Sequence, residues 1–135
     1  MRPAQNIITA IAHRYNLKLL VYFGSYLTEW YLKDSDIDLA FLADQPLTSL
    51  EKMELHKELI IAHRKSDIDL VDLQTAETVL RYAVATDGKV LFEREEGMFE
   101  RYALFYIKQF YEMRPYIQEE MRQLAKEIRE LDIDG

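Results

Sequence analysis

Residues 22–40 read YFGSYLTEWYLKDSDIDLA, and this stretch decides how the rest of the chain is read. The apolar run Leu19-Leu20-Val21-Tyr22-Phe23 enters it and predicts a buried strand. Gly24 ends that strand, where a residue without a side chain lets the backbone turn sharply and lets a ligand approach closely. Ser25 follows at the expected start of a short helix, whose free N–H groups and dipole attract phosphate. A ten-residue spacer separates Ser25 from Asp36-Ile37-Asp38. Ile37, Leu39 and Phe41 alternate with Asp36, Asp38 and Ala40, so the two carboxylates share one face of a second strand. Adjacent carboxylates repel, and a divalent cation relieves that repulsion. Hard oxygen donors suit magnesium.

The flanking segments predict alternating helices and strands. Ile7, Ile8, Ile11 and Tyr15 recur at helical spacing, giving a first helix over residues 4–15 and a first strand over 17–23. Leu27, Trp30 and Tyr31 suit a short helix over 26–33, and the second strand spans 37–42. Thr48-Ser49-Leu50-Glu51 matches a capping box and starts a helix that runs to about Arg64. Residues 67–73 form a third strand. Thr75 is the expected cap of a helix carrying Val79, Leu80 and Ala83, and Lys89 begins a short fourth strand. The charged segment 93–97 reads as a hinge. A long helical pattern then runs from Met98 to about Leu131, with Pro115 expected to kink or split it. The fold class is therefore α/β or α+β, a sheet carrying helices.

Composition narrows the function classes. The 135 residues fit one domain, with 49% hydrophobic and 30% charged residues, enough to bury a core. There is no cysteine, which excludes a disulfide framework and thiolate metal sites. No apolar run reaches membrane-spanning length and the first residues do not read as a signal peptide, so the expected compartment is the cytoplasm. Net charge is −7, from 24 acidic and 17 basic residues. No basic stripe accompanies it, which argues against a long nucleic-acid substrate. His13, His56 and His63 do not make a metal set, and His56 and His63 read as part of a solvated helix face. Lys33 and Lys89 could neutralise phosphate but read as surface charges.

Gly24-Ser25, ten residues, then Asp36-x-Asp38 resembles the signature of the DNA polymerase beta-like nucleotidyltransferase superfamily. Within it the chain is similar to the minimal nucleotidyltransferases of the MntA antitoxin type, over about residues 7–93. The resemblance implies a mixed, mainly antiparallel sheet with helices on one face. It implies ATP as substrate, Mg2+ as cofactor, and transfer of AMP to a tyrosine of a HEPN-family ribonuclease toxin held in a hetero-oligomer. Gly24 and Ser25 would then hold the β- and γ-phosphates, and Asp36 and Asp38 would ligate the metal. The family's apolar-Asp-apolar-apolar unit falls on Ile68-Asp69-Leu70-Val71. This makes Asp69 the third ligand and the helper of acceptor deprotonation, with Asp67 as the alternative. Asp72 points to the other face and reads as a strand end or cap. Residues 1–93 would form the nucleotidyltransferase core and 94–135 a helical extension of the same domain, whose repeated apolar positions suit a partner surface. Two other readings stay open: a non-catalytic module that neutralises a toxin by contact, and a transferase for a small molecule such as an aminoglycoside.

Overall fold

The computed structural model describes residues 2–24 and 36–134. The helix expected over 26–33, together with Ser25 and Lys33, lies outside the described residues. The elements are α1 (Gln5–Arg14), β1 (Leu17–Phe23), β2 (Ile37–Ala43), α2 (Ser49–His63), β3 (Ile68–Asp72), α3 (Thr78–Asp87), β4 (Lys89–Glu93) and α4 (Met98–Asp134). The strands form one sheet in the order β3-β2-β1-β4. β1 is antiparallel to both β2 and β4, whereas β2 and β3 are parallel and joined through α2. The sheet is thus mixed and mainly antiparallel, as expected.

One part of the expectation needs correction. Helices cover both faces of the sheet, not one. Alternation along β1 sends Leu20 and Tyr22 to one side, where they join Ile8 and Ile11 of α1 and Leu55 and Leu59 of α2. It sends Leu19, Val21 and Phe23 to the other, where they meet Val84 of α3 and Met98 and Tyr106 of α4. β1 and β2 are buried at every position except Lys18 and Asp38, which are half-buried. That is the physical meaning of their near-continuous apolar runs, since a strand covered on both sides has no polar face to alternate with.

The helix ends follow the sequence unevenly. At α2 the Thr48 Oγ1 accepts from the Glu51 N–H at 3.1 Å, and Glu51 Oε1 accepts from the Thr48 N–H at 2.9 Å. Such a cap contributes about 1 kcal/mol. Thr75 does not cap α3. That helix begins three residues later, after Glu77, with no side-chain cap. The segment between is a turn held by Asp72, whose Oδ1 accepts from the Gln74 N–H at 2.9 Å. Arg81 of α3 ties the helix to this turn through the carbonyls of Leu73 (2.8 Å) and Gln74 (2.7 Å).

α4 is not split at Pro115; the helix runs unbroken through it. Its first three turns are core. Met98, Ala103 and Tyr106 are buried, and Phe110 stacks on Tyr82 of α3 with ring centroids 4.0 Å apart. From Tyr111 to Leu131 every residue except the half-buried Ile117 is exposed. The packing boundary therefore falls near Phe110, well inside the segment beyond residue 93. Ending the chain after Glu96 strips the cover from Leu19, Val21 and Leu42. Burying Met98 and Tyr106 stabilises by about 2 kcal/mol each, a large share of a small domain's net stability of about 5–15 kcal/mol. The shortened chain is expected to lose its cooperative thermal transition in circular dichroism, while one ended after Glu112 keeps it.

Candidate active site

The sheet topology brings three strand ends together. β1 runs toward Gly24, and β2 leaves antiparallel beside it, with Phe23 opposite Asp38. β3 starts parallel to β2, with Asp38 opposite Asp69. Asp38 shares its strand face with Ala40 and Leu42, and Asp69 shares its own with Val71 and Leu73. These apolar neighbours belong to the cluster under α3 and α4. The carboxylates sit one step past its rim, so Asp36 and Asp69 are exposed while Asp38 is half-buried.

Asp38 is the most perturbed group of this edge. Its pKa is raised, first by burial, then by the negative charges of Asp69 and Asp36 and by a hydrogen bond shared with Asp69. A cation bound beside these three carboxylates would offset the repulsion that raises it. Gly24 closes the edge from β1. Its φ is +77°, and a Cβ there would stand 2.6 Å from Asp38 Oδ2. Only glycine brings the backbone this close to the carboxylate in this conformation.

Among the described residues no three acidic or histidine side chains are arranged to hold a metal ion by themselves. The donor set still fits magnesium. That ion is commonly held by one or two carboxylates, with substrate phosphates and waters completing its octahedron. Paired carboxylates backed by a third negative charge meet that description.

The register distinguishes the acidic residues of the third strand. Asp69 lies beside Asp38, whereas Asp67 lies just ahead of β3 and its carbonyl accepts from the Ile37 N–H at 2.9 Å. Asp72 faces α2, where its Oδ2 lies 3.0 Å from Lys52 Nζ. It is a strand-end cap and ion-pair partner, as the sequence suggested. Asp69→Asn is expected to lower the AMP transfer that the resemblance implies at least about a hundredfold, the scale of losing a group that stabilises developing charge. Asp72→Asn should leave transfer within about twofold and cost at most about 1 kcal/mol in chemical denaturation, because its ion pair is a partly exposed one.

The histidines depart from expectation. His63 is buried, not on a solvated face. Its Nδ1 lies 2.8 Å from the Leu59 carbonyl, which can only accept, so Nδ1 carries the proton. Nε2 is then the acceptor for the Tyr22 hydroxyl at 2.7 Å. Burial holds the imidazole pKa below its usual value. The signal was legible: His63 follows Leu55 and Leu59 on the apolar stripe of α2. This pair braces Tyr22, two residues before Gly24, from the α2 side. His56 accepts no solvated role either, since its Nε2 lies 2.6 Å from the Ile68 carbonyl. Lys89 is exposed on β4 opposite Tyr22, at the same end of the sheet as Gly24. A groove of about 890 Å³ between α1 and α2, lined by Ile7, Ile11 and Ile61, lies on the opposite face and contains none of Asp36, Asp38 and Asp69.

Comparison with known proteins places this geometry. The family model "Polymerase beta, Nucleotidyltransferase" matches residues 5–97. The chain belongs to the polymerase beta nucleotidyltransferase family. It is 42% identical over 80 residues to the protein adenylyltransferase MntA of Shewanella oneidensis, a match covering 59% of this chain and 57% of that protein. A crystal structure of a toxin–antitoxin with AMP-PNP superposes with TM-score 0.75 at 32% identity, over 90% of this chain and 98% of that one. A structure of a tri-AMPylated Shewanella oneidensis HEPN toxin in complex with MNT antitoxin gives TM-score 0.71 at 32% identity, over 90% of this chain and 95% of that one. In this nucleotidyltransferase, then, the acidic edge of the sheet lies within the family's matched span. No helix among the described residues is long and apolar enough to cross a membrane.

Proposed function

We propose that this nucleotidyltransferase moves AMP from ATP to a hydroxyl of a protein partner, a HEPN-type toxin, and so acts as its antitoxin in the cytoplasm, where ATP is plentiful. The observation that carries the reading is the Asp38–Asp69 pair, adjacent across β2 and β3 and closed from β1 by Gly24. The names of the similar proteins support the same reaction: an adenylyltransferase, a toxin–antitoxin with AMP-PNP, and an AMPylated toxin held by its antitoxin.

Asp36, Asp38 and Asp69 would hold Mg2+, which supplies positive charge to the triphosphate as charge develops. Gly24 offers its backbone to the phosphates without a side chain in the way, and Ser25 would offer its hydroxyl. Asp69, more exposed than Asp38, would take the proton of the attacking hydroxyl. The new bond joins that oxygen to the α-phosphorus, the bond from the α-phosphorus to the bridging oxygen breaks, and pyrophosphate leaves with the electron pair.

The test is intact-mass spectrometry of a HEPN-family toxin after incubation with the chain, ATP and magnesium. Mass increments of whole AMP units are expected, and none without magnesium. A toxin that is bound tightly yet never modified would instead assign a contact-only antitoxin. AMP appearing on an aminoglycoside but not on the toxin would move the substrate class.

A further inference from the structure

Beyond Phe110, α4 carries an apolar seam that none of the described residues covers. Met121 (64% exposed), Leu124 (51%), Ile128 (53%) and Leu131 (70%) lie along it, with Ile117 at its base. The five follow one another at steps of four, three, four and three. That is the heptad spacing by which one helix packs along another, with knobs set into holes. The opposite side of the helix is polar and holds the ion pair of Arg122 with Glu119. A seam of this kind, on a helix that otherwise holds charged residues, is a contact surface.

The charges beside the seam select the partner. Glu120 and Glu127 occupy the same flanking position one heptad apart, while the other flank holds the uncharged Gln118 and Ala125. A second copy laid antiparallel sets these glutamates against each other. Laid parallel, it offers them no cation, and each copy brings a net charge of −7. Like charges placed across an interface disfavour the pairing. Matches to the toxin–antitoxin structures cover 90% of this chain. At most about one tenth of 135 residues is left out, so the likeness follows α4 past Tyr111 to at least about residue 121. The helix is therefore shared with chains that crystallised in such complexes.

We propose that residues 117–131 of α4 are the docking strip for the acceptor protein. They would receive a helix of the toxin that presents an apolar stripe edged by Lys or Arg. This rests on the proposed transfer to a toxin and adds the surface that brings the toxin to the enzyme. Docking at this strip is separate from the acidic edge, so it governs acceptor affinity and leaves the chemical step alone.

The experiment uses the full chain and the double variant Leu124→Glu/Ile128→Glu, both with the HEPN-family toxin of the transfer test as acceptor. The two positions are exposed, so circular dichroism of the variant should match wild type. KM for the toxin and its Kd by calorimetry should rise at least about tenfold, while KM for ATP and kcat at saturating toxin stay unchanged. Glu120→Lys/Glu127→Lys should weaken binding too, most strongly at low salt. Unchanged KM and Kd in both variants, with wild type active, would overturn the docking strip and leave the transfer reading standing. A wild type that neither binds nor modifies the toxin overturns both. If sedimentation finds a wild-type dimer that the double variant splits, with toxin binding intact, the strip belongs to a second copy instead.

Discussion

Asp38→Asn is expected to lower AMP transfer by at least about a hundredfold to a thousandfold, the scale of removing a preorganised group from a charged transition state, without lowering Tm. The two halves have one cause. Asp38 ionises against burial and against the charges of Asp69 and Asp36. Its folded pKa is raised, so the folded state holds the proton more tightly than the unfolded chain does. Stability is therefore reduced as pH rises through the folded value, and the penalty is absent below the unfolded value, near 4. Asparagine never ionises and escapes the penalty. In the absence of divalent metal the variant's Tm at pH 7 should equal or exceed that of wild type, and the gap should close toward pH 3.5. Adding magnesium with a non-hydrolysable ATP analogue should raise the wild-type Tm by mass action and the variant's much less. A variant that is both fully active and unchanged in its response to magnesium would remove Asp38 from the site.

Gly24→Ala is also expected to lower transfer, for a reason that involves no loss of any functional group. The position has φ +77°, where a side chain costs about 1–2 kcal/mol. The new methyl would also stand 2.6 Å from Asp38 Oδ2, well inside contact distance. The carboxylate can swing away more cheaply than the strand can shift, so the fold should survive while Asp38 leaves its place opposite Asp69. Transfer should fall at least about tenfold, equivalent to 1.4 kcal/mol of transition-state stabilisation, with a Tm loss of only a few degrees. Because the methyl displaces Asp38, combining Gly24→Ala with Asp38→Asn should cost little more than Asp38→Asn alone. Additive losses would show that Gly24 acts on the phosphates independently of the carboxylate.

Much of this was legible in the residues because it is local. Period-two alternation in Ile37-Asp38-Leu39 marks a strand with acids on one face, and Thr48 with Glu51 marks a helix start; both depend only on near neighbours. Asp69 required more, since its place beside Asp38 depends on the parallel pairing of β2 with β3 across a helical crossover, a long-range register. The sequence pattern of a related family supplied that choice, and the pairing is consistent with it. The second covered face of the sheet was missed because the family resemblance implied helices on one face, although the unbroken apolar run from Leu19 to Phe23 already marks a strand buried on both sides. His63 was misread because its polarity outweighed its spacing from Leu55 and Leu59. Thr75 was misread because Asp72, with its own turn-forming carboxylate, takes the chain through three more residues before a helix can begin.

The unbroken passage of α4 through Pro115 has a mechanical consequence. A proline has no N–H, so the Tyr111 carbonyl lacks its partner one turn ahead. This is the point of lowest bending stiffness in the helix, and it lies just after Phe110, where the packed turns end and the exposed ones begin. The helix is thus a cantilever clamped at its root and softened beside the clamp. From Pro115 to Leu131 the arm is about 24 Å long at 1.5 Å per residue. A bend of about ten degrees at the root moves the tip by about 4 Å, roughly the size of one side chain. A surface carried on such an arm can change its angle to the packed domain through small bends at the root.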